Sequence, residues 1–138
     1  MSTIFSKIIN RELPSYIIYE DDIVISFLDI SQITYGHILV VCKKEYENIF
    51  DIDDNSLSHL ITVVKKLSIK IKDTLGCKGV NIINNSGKGS GQTVFHFHIH
   101  IIPCYENEKI NILFEQNNDK YSKNDFELLQ TKLINTII

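Results

Sequence analysis

The sequence predicts an α+β domain: an antiparallel sheet of about five strands, one long helix, and short helices near the two ends. Three observations carry this. Five runs rich in Val, Ile, Phe and Tyr lie between turn-forming residues, as strands do. One long segment repeats its apolar residues at helical spacing. No regular βαβ alternation occurs, so hairpins covered by helix are the natural outcome. The 138 residues fit a single domain, 1–138, that buries about two thirds of its unfolded surface.

Each element has its own signal. Phe5, Ile8 and Ile9 of "IFSKII" fall at i, i+3 and i+4, giving a short helix that ends before Pro14. "SYIIYEDDIVISFLDI" places two β-branched runs around Glu20-Asp21-Asp22, a hairpin. "HILVVC" is a third strand, entered beside Gly36. Asp53 or Asp54 caps the long helix, on which Leu57, Leu60, Ile61, Val64, Leu67, Ile71 and Leu75 recur; Gly76 stops it. "GVNIIN" is the fourth strand, "NSGKGSGQ" a glycine-rich loop and "TVFHFHIHIIP" the fifth strand. A polar connector runs from about Tyr105 to Lys120. Ser122 with Asp125 then caps a last helix carrying Phe126, Leu129, Leu133 and Ile137.

The composition excludes several function classes. A net charge of −3 offers no surface for a nucleic acid, though a pocket for one nucleotide is compatible with it. Cys42, Cys77 and Cys104 are odd in number and far apart, with no C-x-x-C pair, so neither disulfides nor thiolate zinc is indicated. No signal-peptide h-region and no apolar stretch of about 18 residues occurs, which points to a cytoplasmic protein without a membrane span.

The chemistry lies in "FHFHIHIIP", where three of the five histidines alternate along one strand. Alternation puts His96, His98 and His100 on one face, with Thr93, Phe95, Phe97, Ile99 and Ile101 expected on the core face. Three histidines so spaced span about 13 Å, too far to converge on one ion. Two with a distant partner still form a possible zinc set. The preceding loop favours a phosphate instead. Three glycines in "NNSGKGSGQT" let backbone N–H groups turn inward around an anion, and Asn85, Ser86, Gln92 and Thr93 add neutral donors. Neutral imidazole is a nucleophile at cellular pH, and a neighbouring imidazole can trade protons with it.

"HFHIHII" resembles the H-φ-H-φ-H-φ-φ signature of the histidine triad (HIT) family of nucleotidyl hydrolases and transferases. "TIFSKIINRELPSYIIYEDD", "FLDI", "GHILVV" and "NNSGKGSGQTVFHFHIHIIP" resemble, in order and spacing, its Hint branch, the nucleoside phosphoramidases. The similarity is strongest over residues 3–104; residues 105–138 are similar to bacterial members. It implies a HIT-like fold and attack on an α-phosphorus through a nucleotidyl-histidine intermediate. His98 becomes the nucleophile, His96 and His100 its supports, and His37 a fourth histidine facing the same pocket. Asn85, Gly91, Gln92 and Thr93 match the phosphate and leaving-group contacts. Ile4, Phe5, Ile8, Phe27 and Ile30 match an apolar base pocket, and Asp29 the carboxylate that binds ribose. On the residues alone, the apolar five are equally core positions, and Asp29 equally a turn cap.

The implied substrate is a purine nucleoside monophosphate joined to an amine or acyl group, with AMP released and a homodimer expected through the long helix and "GVNIIN". The alternatives are a dinucleoside polyphosphate hydrolase of the Fhit type, or a largely non-catalytic nucleotide-binding or scaffold protein. Many bacterial relatives hold structural zinc; the matching positions here are Thr3, Ser6 and Glu45, so no metal and no cofactor is expected. Gln32 and Tyr35 replace two prolines often found in the turn before His37, which bears on that turn's rigidity and on base preference.

Overall fold

A computed structural model describes residues 2–106, 114–117 and 119–136. Three helices, α1 (Ile4–Ile9), α2 (Asp54–Leu75) and α3 (Lys123–Thr136), accompany five strands: β1 (Ile17–Glu20), β2 (Val24–Leu28), β3 (Ile38–Cys42), β4 (Gly79–Ile83) and β5 (His98–Cys104). The strands form one antiparallel sheet in the order β1-β2-β3-β5-β4. The expected α+β class is the observed one.

The sheet buries both faces, which its strand sequences require. Val24, Ile38, Val40, Cys42, Ile99 and Ile101 point toward α2 and meet Leu60, Val63, Val64 and Ile71. Ile25, Phe27, Leu39 and Val41 point the other way and pack with Phe5 and Ile8 of α1. A fully buried aliphatic such as Leu60 contributes about 1.5–3 kcal/mol. On α2 the expected stripe is offset: Ile61 is 46% exposed, and Val63, not singled out by the spacing, is buried. Asp53 caps α2 by accepting from the Ser56 amide, and Gly76 ends it with φ +69°. The three cysteines are free thiols.

Two differences from the expected elements matter. The fifth strand begins at His98, not Thr93. Its pairing with β3 ends at Val41↔His98, and upstream the Phe97 amide turns to the Tyr46 carbonyl, 2.7 Å away. Thr93 and Phe95 are therefore not core; Phe95 is 41% exposed. At the other end of the chain, Ser122 and Asp125 do cap α3 reciprocally, but the helix buries none of its described side chains. Ile137 lies outside the described residues, as does part of the connector.

The turn from β2 to β3 is held by side chains. Gln32 accepts from the Gly36 and His37 amides at 2.8 and 3.0 Å and donates to the His37 carbonyl at 2.7 Å. Thr34 donates to the Pro103 carbonyl, and Tyr105 Oη–H to the Tyr35 carbonyl. These bonds fix the turn without the prolines. Gly36 sits at φ +94°, where an added Cβ would lie 2.5 Å from Leu75 Cδ1 and 3.3 Å from Pro103 Cγ.

Candidate active site

The register of the sheet assembles the site. Leu39 faces His100 and Val41 faces His98 across β3 and β5. Directly paired residues share a face, so both histidines emerge on the α1 side. One residue beyond the β2–β3 ladder, the Asp29 amide donates to the His37 carbonyl at 3.1 Å, which brings Asp29 and His37 to the same end. Phe5 of α1 packs edge-on against His98, with ring centroids 4.9 Å apart, and against Phe27 at 5.6 Å.

Hydrogen bonds fix the tautomers. His98 Nδ1 lies 2.6 Å from the His96 carbonyl oxygen. A carbonyl only accepts, so Nδ1 carries the hydrogen and Nε2 keeps a lone pair. His37 Nδ1 accepts from the Ile33 amide at 3.3 Å, so its Nε2–H donates to His100 Nδ1, 3.0 Å away. His100 is then left with Nε2–H as a donor. The Asp29 carboxylate stands 3.6 Å from His37 Nε2, a second acceptor for the same hydrogen. The two cavity histidines thus carry complementary tips: a lone pair on His98 and an N–H on His100, their ring centroids 5.1 Å apart.

A cavity of about 380 Å³ opens over these groups, lined by Ile4, Phe5, Asp29, Asn85, Gly91, Gln92, Thr93, His98 and His100. Nine residues named from the sequence therefore meet in one place. The others fall around it. His37 is buried behind His100; Ile8 and Phe27 lie in the core beneath Phe5. Ile30 is 86% exposed and borders a separate cleft with Tyr16 and Gln32. Asp29 both faces the cavity and caps its own turn, accepting from the Ser31 amide at 2.8 Å. A larger cleft of about 750 Å³ adjoins across Ile4, Thr93 and Val94, but none of the histidines lines it.

His96 is not equivalent to its neighbours. It precedes the regular strand, is fully buried, and does not line the cavity. All three rings emerge on the α1 side, as expected: His96 packs against Phe5, with ring centroids 6.0 Å apart, but lies beyond the bend at Phe97 and outside the cavity. Its Nε2–H donates to the Cys42 carbonyl at 2.5 Å, and its Nδ1 meets Thr3 Oγ1 at 2.9 Å.

Gln92 is committed to the loop. Its Oε1 accepts from the Gly87 amide at 2.8 Å, and its Nε2 donates to the carbonyls of Glu47 and Val94 at 2.7 and 3.1 Å. The amides of Ser90 and Gly91 close turns onto Gly87 and Lys88, so these loop N–H groups serve the loop itself. Asn84, which the sequence did not single out, donates to the His98 carbonyl at 2.9 Å. Ser31, Leu39 and Val94 also line the cavity unforeseen; register alone would have suggested Leu39, opposite His100.

Burial holds all four histidines toward their neutral form. It lowers His98 and His96 below the ordinary imidazole range, and His37 too, where the Asp29 charge opposes it. His100 falls to about 4, through burial first and then the neighbouring His98 and His37. Among the described residues, Asp29, His37 and His100 are the group whose ligand atoms lie close enough to hold a metal ion, within 4.8 Å of one another. His37 and His100 already use those atoms in a hydrogen bond. His59, on α2, pairs with Asp21 away from the site.

The HIT domain family model matches residues 10–107. The chain belongs to the HIT family. A HIT family protein from Bacillus anthracis str. 'Ames Ancestor' is 38% identical, with TM-score 0.89 over 98% of this chain and 96% of its own. A protein from Sulfolobus tokodaii strain7, called a hypothetical histidine triad nucleotide-binding protein, is 39% identical, with TM-score 0.73 over 92% of this chain and 86% of its own. A HIT family hydrolase from Clostridium thermocellum is 36% identical, with TM-score 0.68 over 81% of this chain and 97% of its own. These HIT structures share the sheet that carries His98 and His100 here.

Proposed function

We propose that this HIT protein is a nucleotide hydrolase that cleaves nucleoside 5′-phosphoramidates, or acyl- and aminoacyl-AMP-type substrates, at the α-phosphorus. The observation that carries this is the His98 tautomer: Nδ1–H is fixed on a backbone carbonyl, and the Nε2 lone pair belongs to a ring that lines the cavity. The similarity to a nucleotide-binding protein and to a hydrolase supports the substrate class and the reaction type.

The steps follow from the tautomers. His98 Nε2 bonds to phosphorus while the bond from phosphorus to the leaving nitrogen or oxygen breaks. His100 Nε2–H hydrogen-bonds the leaving atom, which takes its proton from solvent. Water then attacks phosphorus, the bond to His98 breaks, the attacking water's proton goes to solvent, and AMP is released. Splitting one displacement into two is what a nucleophilic side chain contributes. Asn85 and Thr93 meet the phosphate, Asp29 the ribose hydroxyls, and Ile4 and Phe5 a purine. No structural zinc is proposed: Thr3, Ser6 and Glu45 are hydrogen-bonded to one another, and two hydroxyls with one carboxylate and an imidazole make a poor zinc set.

A homodimer fits this reading. β4 is an edge strand with Ile82 half exposed, and α2 carries exposed Ile61 and Ile69 beside it. Such an edge is a template for pairing with a second copy.

The test is AMP release from adenosine 5′-phosphoramidate by the wild type and by His98→Ala. Rapid release by the first and none by the second is expected. Equal rates would sink the proposal.

A further inference from the structure

We infer that Thr3, at the cap of α1, is a positioning residue for the nucleophile, acting on His98 through His96 by a relay that Ser6 and Glu45 complete. The inference rests on His98 being the attacking group.

Every hydrogen in this relay has one assignment. The Cys42 carbonyl can only accept, so His96 Nε2 carries the hydrogen and Nδ1 the lone pair. The partner of that lone pair, 2.9 Å away, is Thr3 Oγ1, which must donate. Having donated, Thr3 Oγ1 accepts from the Ser6 amide at 3.1 Å, and the Thr3 amide donates back to Ser6 Oγ at 3.1 Å. Ser6 Oγ in turn gives its own hydrogen to the Glu45 carboxylate. This is a capping box with one member turned to a second task. The cap residue both starts α1 and holds a buried imidazole 93 positions away.

The consequence reaches the chemistry through the backbone. His96 is 0% exposed and gripped from both ring nitrogens, by the first helix on one side and the end of β3 on the other. Its carbonyl receives His98 Nδ1–H, so the grip on the ring steadies the acceptor that orients the nucleophile. No ladder bond reaches His96; the Phe97 amide of the same peptide unit donates to the Tyr46 carbonyl at 2.7 Å, and the grip on the ring adds the second hold. The same cap sets the position of Phe5, whose ring meets both His96 and His98 in T-shaped contacts. If the Thr3 hydroxyl is lost, a buried imidazole nitrogen is left without a partner, at a cost that favours reorientation of the ring.

Thr3→Val removes the hydroxyl at nearly constant volume, and Thr3→Ser restores it. With adenosine 5′-phosphoramidate, Thr3→Val is expected to lower kcat by about tenfold to a hundredfold, as a small misplacement of a reacting group does. KM should change far less, and Thr3→Ser should recover kcat. Nitrogen-15 shifts of the histidine rings give a readout independent of turnover. The wild type and Thr3→Ser should show His98 as a single Nδ1–H tautomer; Thr3→Val should show a mixture. Glu45→Ala, at an exposed side chain, should shift both readouts in the same direction by less. A wild type without AMP release overturns the proposed reaction, and the ring shifts then decide the relay alone. A His98 tautomer and kcat untouched by Thr3→Val overturn the relay.

Discussion

His98 Nδ1–H points at the carbonyl oxygen of His96, 2.6 Å away. That single contact separates the roles of two histidines only two residues apart. The second is aimed and the first does the aiming. A third relationship completes the set: the bond from His37 to His100 leaves His100 with its donor on Nε2. Lone pair and donor therefore belong to neighbouring rings over one cavity, the arrangement an in-line displacement needs.

His100→Asn shortens that donor and removes it from its place. For adenosine 5′-phosphoramidate, kcat should fall by about 10²–10³, the usual cost of losing one fixed donor at a developing charge. A mixed acyl phosphate, whose leaving group needs no proton, should lose much less. Comparing the two substrates on the one variant checks the assignment. An equal loss on both would place the role of His100 elsewhere.

Acid should destabilise this protein through its buried histidines. Their folded values lie below the unfolded value near 6.5, and His100 reaches about 4. Between those limits the unfolded chain binds protons that the folded chain does not, so stability is full above the upper limit and declines as pH falls through the window. The Tm, followed by calorimetry from pH 7 to 5, should drop, and His100→Asn should flatten part of that drop. A Tm indifferent to pH over this range would show that the histidines titrate normally.

Gly36→Ala should be costly although it adds one methyl. The position has φ +94°, and the new carbon would press on Leu75 and Pro103. Backbone strain of this kind costs about 1–3 kcal/mol, and the turn it disturbs carries His37 and Asp29. Urea unfolding should show a lower midpoint with an unchanged slope. An unaltered midpoint would mean the turn relaxes freely.

The strand period, the glycine loop and the helical stripe were enough to place five strands, both caps of α2 and the histidine and loop sides of the cavity; Ile4, Phe5 and Asp29 came from the family resemblance. What the sequence could not convey is where a ladder stops. Period-two alternation continues unbroken through Phe95 and His96, yet the Phe97 amide finds the Tyr46 carbonyl, contributed by a loop fifty residues earlier. That bond, with those of the His96 ring to Thr3 and Cys42, tells His96 from His98. Gln92 shows the same limit, since a polar side chain beside a phosphate loop is equally able to bond the loop. Thr3 was visible as a poor zinc ligand, but its partner His96 is distant in sequence, so its positioning role had no local signal.

The proposed reaction depends on a covalent bond between His98 and a nucleotide phosphorus. Mixing the wild type with adenosine 5′-phosphoramidate, quenching within the first turnover and mapping the peptides by mass spectrometry tests it directly. An AMP-sized increment on His98, absent from His98→Ala, is the predicted result. AMP released with no such adduct at any time, or released equally well by His98→Ala, would contradict it.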